Sequence, residues 1–169
     1  MWNNTDLPLA YLITFRCYGS WLHGDERGSV DRFHNQYRSP YLSGNEAWHQ
    51  HNARKLKCEP VVLDAVKRKS VEIAIRETCA FRNWTLRAIN VRTNHVHAVV
   101  SIGTIPSQRA LNAFKANATR QLRQDGHWNH QHSPWADKGS KRYFWNERGI
   151  ERAVDYVMNG QGDKVPEFD

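Results

Sequence analysis

Between Trp84 and Ile102 the chain carries two apolar, β-branched runs separated only by Arg92-Thr93-Asn94, and no other feature limits the fold as tightly. Two strand-forming runs joined so closely are expected to lie antiparallel, side by side in one sheet. The second run, His95-Val96-His97-Ala98-Val99-Val100, also fixes which residues share a face. Side chains alternate across a strand, so His95 and His97 emerge together while Val96, Ala98, Val100 and Ile102 take the other side. Two imidazoles side by side on a rigid strand suit a divalent metal held in an open site. Two ordinary histidines on a two-faced strand would give the same spelling, so the pair decides nothing by itself.

The rest of the chain supplies partners for that hairpin. Leu9 to Tyr18 is rich in β-branched and aromatic residues and reads as a strand, with Tyr11, Ile13, Phe15 and Cys17 on one face and Leu12, Thr14, Arg16 and Tyr18 on the other. Leu63 to Arg82 reads as a helix: Val71, Ala74, Ile75, Thr78 and Cys79 form a helical stripe, and Asp64 stands where a cap belongs. A second helix runs from Pro106-Ser107 to about Gln124, with Leu111, Phe114, Ala118 and Leu122 toward the core and Gly126 closing it. Lys141 to Trp145 is a short aromatic strand. Glu147 to Asn159 is the last helix, with Ile150, Ala153, Val154, Val157 and Met158 on its apolar side.

Residues 21–44 read as a long loop, and 45–57 as a polar helix. Gly24 to Gly28 is a turn rather than a phosphate cradle, since it lacks the lysine and the strand-to-helix setting of one. His127, His130 and His132 could be read as a second metal site, but their Gln- and Asn-rich setting gives no geometry. The order strand, loop, helix, strand, strand, helix, strand, helix gives an α+β sandwich of the ferredoxin-like or RRM-like kind, with a mostly antiparallel sheet. It forms a single domain over 1–169 with a frayed tail at 163–169.

Composition narrows the partners. Twenty-four basic residues against 17 acidic ones give a net charge of +7, which favours polyanions such as nucleic acid. Seven tryptophans, six tyrosines and six phenylalanines offer stacking surfaces for unpaired bases, although most aromatics are core. Cys17, Cys58 and Cys79 are odd in number and lack CxxC spacing, as expected of reduced thiols rather than a disulfide frame or zinc knuckle. No signal peptide is recognisable at the start, and no apolar run approaches the roughly 20 residues that span a bilayer. The expectation is a cytoplasmic protein without a membrane partner.

Tyr156 lies in the last helix. A phenol on an amphipathic helix is commonly a core residue with its hydroxyl at the edge. It becomes a useful nucleophile toward a phosphodiester when a metal polarises the phosphate and stabilises the leaving oxygen. A histidine pair on a sheet and a tyrosine on a helix packed over it would supply both halves.

These parts together resemble the HUH single-tyrosine transposases: Asn94-His95-Val96-His97 after a hydrophobic strand, a basic helix next, and Asp155-Tyr156-Val157 in a late helix. The match is closer to the branch of REP-associated tyrosine transposases, relatives of insertion-sequence transposases that process bacterial repetitive palindromes. The resemblance extends to Thr14-Phe15-Arg16 and to the approach from Trp135-Ala136-Asp137 to Trp145. It implies that His95 and His97 ligate Mg²⁺ or Mn²⁺, and that Tyr156 attacks single-stranded or hairpin DNA to leave a 5′-phosphotyrosine and a free 3′-hydroxyl. The family usually offers an amide as third ligand one helical turn beyond the tyrosine, where this chain has Gly160. Asn159 and Gln161 flank it; Gln161 is preferred, because a glycine would allow the backbone to turn it inward.

Arg16, Arg92, Lys115, Arg120, Lys141 and Arg142 are the candidates for contacts with the DNA backbone, which position a strand without reading it. Members of the wider family act as dimers that exchange tyrosines or as monomers, so both a monomer and a homodimer fit. A non-enzymatic RRM-like nucleic-acid binder and a metal-dependent hydrolase of small phosphoesters are the competing readings.

Overall fold

The computed structural model describes residues 6–20, 46–47, 50 and 58–161. The loop expected over 21–44 and the tail at 163–169 lie outside the described residues, as does most of the helix expected over 45–57, of which 46, 47 and 50 are helical. The elements are β1 (Ala10–Arg16), α1 (Ala65–Arg82), β2 (Thr85–Val91), β3 (His95–Ser101), α2 (Ser107–Gln124), β4 (Ser140–Phe144) and α3 (Glu147–Asn159).

The four strands form one sheet in the order β2-β3-β1-β4, with antiparallel neighbours throughout. This is the split βαβ arrangement with one helix added at its end. The alternation of β1 and β3 divides the sheet into two unlike faces. Ile13 and Phe15 from β1 join Val96, Ala98 and Val100 from β3 in a large core completed by α1 and α2, whose Val71, Ile75, Leu111 and Phe114 are fully or almost fully buried. On the reverse face Ala10, Leu12, Ala88 and Val99 form a smaller cluster with Ile150, Ala153 and Val157 of α3. The sheet is therefore sandwiched between two helices on one side and the tyrosine helix on the other.

Strict alternation along β2 would place Leu86 with Ala88 and Asn90. The pairing shifts between Leu86 and Ala88, so Arg87 is an extra residue without a partner in the ladder. That bulge resets the faces: Leu86 packs against the large core with Ile89 and Val91, while Ala88 belongs to the cluster under α3.

The helix ends follow local chemistry. Asp64 accepts a hydrogen bond from the Lys67 amide at 3.0 Å, and Asn83 closes α1 in the left-handed region at φ 56°. Asn146 caps α3 by accepting from the Gly149 amide at 2.8 Å. Trp135 anchors the connection from α2 to β4: its indole N–H donates to Thr119 Oγ1 at 3.0 Å, and its ring meets Phe15 edge-on at 4.9 Å.

Met158, expected on the apolar side of α3, is instead 56% exposed, because Val157 next to it takes the core position. Among the described residues no helix is long and apolar enough to cross a membrane. Ile150→Ala is expected to destabilise the protein by about 2–4 kcal/mol through the cavity left under α3, and Met158→Ala by no more than about 0.5 kcal/mol; urea unfolding of the two variants measures both.

Candidate active site

The histidine strand occupies an inner position in the sheet, between β2 and β1, so both imidazoles are held by a ladder on each side. Its partners explain their orientation. Thr14 stands opposite His97 in the β1–β3 register, and its hydroxyl lies 2.7 Å from His97 Nδ1. His95 Nδ1 donates to Asn94 Oδ1 at 2.6 Å. Each ring thus uses Nδ1 on a neighbouring side chain and leaves Nε2 as its other donor atom, which is how supporting groups orient ligating histidines. The sequence could not reveal Thr14 as a partner because the contact depends on strand register. Asn94 was within reach as the adjacent polar residue, but spacing gave no reason to single it out.

The two imidazoles pack edge to face, with centroids 4.7 Å apart. Tyr156 closes the site from above: its ring lies 5.6 Å from the ring of His97 in the same chain. Tyr156 is 47% exposed and His97 only 6%, so the phenol faces solvent while the imidazole beneath it is buried. Burial lowers the pKa of His97 from 6.5 to about 3, with the neighbouring His95 acting in the same direction and a Gln161 side-chain hydrogen bond opposing it. His97 is consequently neutral at physiological pH, the form that ligates metals.

The end of α3 is fixed from two directions. Asn90, opposite His97 on the β2 side, donates from its side-chain amide to the Val157 carbonyl at 2.9 Å. The Tyr156 carbonyl accepts from the Gly160 amide at 2.9 Å and from the Gln161 side chain at 3.2 Å. Gln161 Oε1 in turn reaches to 3.4 Å from His95 Nε2. Asn159 does not point there; its side chain donates to Asp155 at 2.9 Å.

Gly160 adopts φ −94°, so the turn that carries Gln161 inward does not use the left-handed freedom expected of a glycine. Its role is steric. A Cβ at this position would stand 2.8 Å from the Tyr156 carbonyl oxygen and 3.0 Å from Cδ2 of the Tyr156 ring.

The donor set fits a divalent cation. With Nδ1–H donating to Asn94, His95 Nε2 presents a lone pair toward Gln161 Oε1, and two acceptors facing one space are reconciled by a positive charge between them. Among the described residues no group of three His, Cys, Asp or Glu side chains is placed to hold a metal, so an amide oxygen would complete the pair of imidazoles.

The basic candidates divide between the two faces. Arg16 pairs directly with His95, Arg142 pairs with Leu12 on the α3 face, and Arg92 lies near enough to disfavour a charge on His97. Lys141 pairs with Ile13 on the opposite face, where its ammonium donates to Gln108. Arg120 is exposed on α2. Lys115, half-buried, donates to the carbonyls of Ala136 and Lys138, and burial lowers its pKa. The helical pattern had marked Lys115 as outside the apolar stripe, without showing that the β4 approach would fold over it.

The model of the family described as "Transposase IS200 like" matches residues 46–158, well over half the chain, including both histidines and Tyr156. No curated protein matches the sequence. A structure of a REP-associated tyrosine transposase bound to a REP hairpin aligns with TM-score 0.51 and 11% identity, covering 93% of this chain and 69% of that one. A crystal structure described as a "putative transposase" from Deinococcus radiodurans R1 aligns with TM-score 0.49 and 12% identity, covering 93% and 94%. At 11% identity the likeness to the REP-associated tyrosine transposase is one of fold.

The depressed pKa of His97 has a signed consequence for the metal-free protein. Below pH 6.5 the unfolded chain binds a proton that folded His97 refuses, so this residue destabilises the fold progressively as pH drops from 6.5 toward 3, and the penalty is absent above 6.5. Chelator-treated wild type is expected to lose stability relative to His97→Gln across that window, by at most about 1.4 kcal/mol per pH unit; paired urea titrations at several pH values measure the difference.

Proposed function

The chain belongs to the IS200-like transposase family, and on that premise we propose that it cuts and rejoins single-stranded DNA at repetitive palindromic hairpins, through a covalent bond to Tyr156. The observation that carries this reading is the packing of an exposed phenol over a buried, neutral imidazole whose neighbour faces an amide oxygen.

In the proposed reaction the Tyr156 oxygen attacks the scissile phosphorus. A bond forms between that oxygen and phosphorus, and the bond from phosphorus to the 3′-oxygen breaks. The phenol loses its proton, the departing 3′-oxygen gains one, and the 5′ end stays on the enzyme as a phosphotyrosine. Attack by the 3′-hydroxyl of another strand reverses these changes and transfers the DNA, with no external energy source because a phosphodiester is exchanged for a phosphodiester.

His95, His97 and Gln161 would hold Mg²⁺ or Mn²⁺, which when bound polarises the scissile phosphate and stabilises the leaving oxygen. Thr14 and Asn94 keep the imidazoles turned inward. Asn90 and Gly160 set the height and tilt of the phenol through the end of α3. Arg16, Arg92 and Arg142, all on the side of the tyrosine, would carry the phosphate backbone past the site, with Lys115, Arg120 and Lys141 serving DNA that reaches the opposite face. Tyr156 packs against the His97 ring of its own chain, which suits a monomer and leaves a homodimer compatible. Its place of action would be the cytoplasm.

The decisive measurement is an adduct gel with labelled hairpin DNA bearing single-stranded flanks, in Mn²⁺. Wild type is expected to give a denaturation-resistant complex that EDTA suppresses; Tyr156→Phe should give none while binding the same DNA. Adduct from Tyr156→Phe would refute the assignment of the nucleophile, and binding without adduct from the wild type would favour a non-enzymatic nucleic-acid binder. Gly160→Ala should slow adduct formation by on the order of 10²-fold with DNA affinity unchanged, because it displaces the tyrosine from a geometry sensitive to shifts near 1 Å.

A further inference from the structure

The connection that follows α2 makes a second concave surface, built from side chains that the cleavage site does not use. Trp128 is buried, and its indole N–H donates to the His132 carbonyl at 2.9 Å. The rings of His130 and His132 pack against it, with centroids 4.7 and 5.2 Å away, and lie 5.3 Å from each other with planes 33° apart. Arg123, on the last turn of α2, donates from Nη2 to the carbonyls of both His130 and Gln131 at 3.2 Å. The loop is thus held from beneath by an indole and from the side by a guanidinium. A shallow, open cavity of about 470 Å³ remains, lined by Arg123, Trp128, Asn129, His130 and Gln131.

The chemistry of this cavity is that of a nucleobase site. It offers an exposed aromatic ring in His130, amides from Asn129 and Gln131 that can both donate and accept along a base edge, a cation in Arg123, and no carboxylate. Its position links it to the cleavage site. Tyr18, whose ring lies 5.7 Å from that of His132, stands two residues beyond Arg16, the strand partner of His95. The amide of the intervening Cys17 donates to the carbonyl of Asn94 at 2.9 Å, and that of Tyr18 to Pro134 at 2.8 Å. The row of rings therefore begins at the end of the sheet that carries the imidazole pair, and runs along the opposite face, where Tyr18 and Trp128 pack with the large core, to the end of α2, so a strand leaving the cleavage site would reach it around that end.

We propose that this shelf binds one unpaired base of the DNA strand flanking the cleavage position, stacked on His130 with its edge toward Asn129 and Gln131. The proposal rests on the single-stranded DNA reading given above and adds a subsite to it. It gives a physical role to the histidine-rich stretch: the rings form a surface for bases, and the buried Trp128 keeps that surface rigid.

Fluorescence anisotropy tests it, using a labelled DNA hairpin with mixed-sequence single-stranded flanks and a series in which each flank nucleotide in turn is made abasic. In wild type, one abasic position is expected to weaken binding by about 5- to 150-fold, the factor equivalent to about 1–3 kcal/mol for a stacked base. His130→Ala should weaken binding of the intact DNA by a similar factor and abolish the effect of that abasic position, whereas His130→Phe should restore both. His130 is exposed, and circular dichroism verifies that the variants fold. An abasic profile unchanged by His130→Ala, or an absence of any sensitive position, overturns the proposal. Because the readout is binding, a protein that forms no covalent adduct but keeps this coupling would sink the cleavage reading alone. A protein that forms adducts with a flat abasic profile would sink the subsite alone.

Discussion

Everything at the site depends on a sheet face that is apolar along one half and polar along the other. Along β3 the same side carries His95, His97 and then Val99; along β1 it carries Arg16, Thr14, Leu12 and Ala10. The apolar half grips Ile150, Ala153 and Val157, and the polar half is left beneath the end of the same helix. A helix anchored by its first turns over hydrocarbon therefore delivers its last turn over imidazoles. Tyr156, adjacent in sequence to the fully buried Val157, is held beside them while its own ring stays accessible.

The polar half is supported by hydrogen bonds that come from three different strands and connections. Thr14 reaches His97 from β1, Asn94 reaches His95 from the turn before β3, and Asn90 holds the α3 terminus from β2. Burial keeps His97 uncharged, and the adjoining His95 adds to that effect. A pair of protonated imidazoles at this spacing would repel one another and any cation. The sheet thus sets the electronic state of the site as well as its geometry.

Much of this was legible in the residues. Alternation sorted Ile13 and Phe15 from Thr14 and Arg16, and Val96, Ala98 and Val100 from the two histidines. Helical spacing picked out Val71, Ile75, Leu111 and Phe114, and Asp64 announced its cap. That Tyr156 meets His97 was not legible from spacing, since 58 residues separate them; the expectation came from the family resemblance. Three things were hidden because they depend on atoms brought together only by folding. The Thr14 contact requires strand register, the enclosure of Lys115 requires the later chain to cross it, and the need for glycine at 160 appears only when a Cβ is set against the Tyr156 carbonyl. Met158 was misplaced because an apolar side chain at the margin of a helical stripe can lie on either side of it.

The bulge at Arg87 shows how differently length and identity matter at one position. Arg87 is exposed and makes a hydrogen bond only to Ser101 at 3.4 Å among the described residues, so its chemistry contributes little to the packing. Its presence as a spacer is what allows Leu86 to share a face with Ile89 while Ala88 and Asn90 turn toward the tyrosine helix. Nearly any residue can occupy such a place, but removing it would force one segment of β2 to turn inside out. The tolerance of this edge of the sheet is therefore wide for replacement and narrow for deletion.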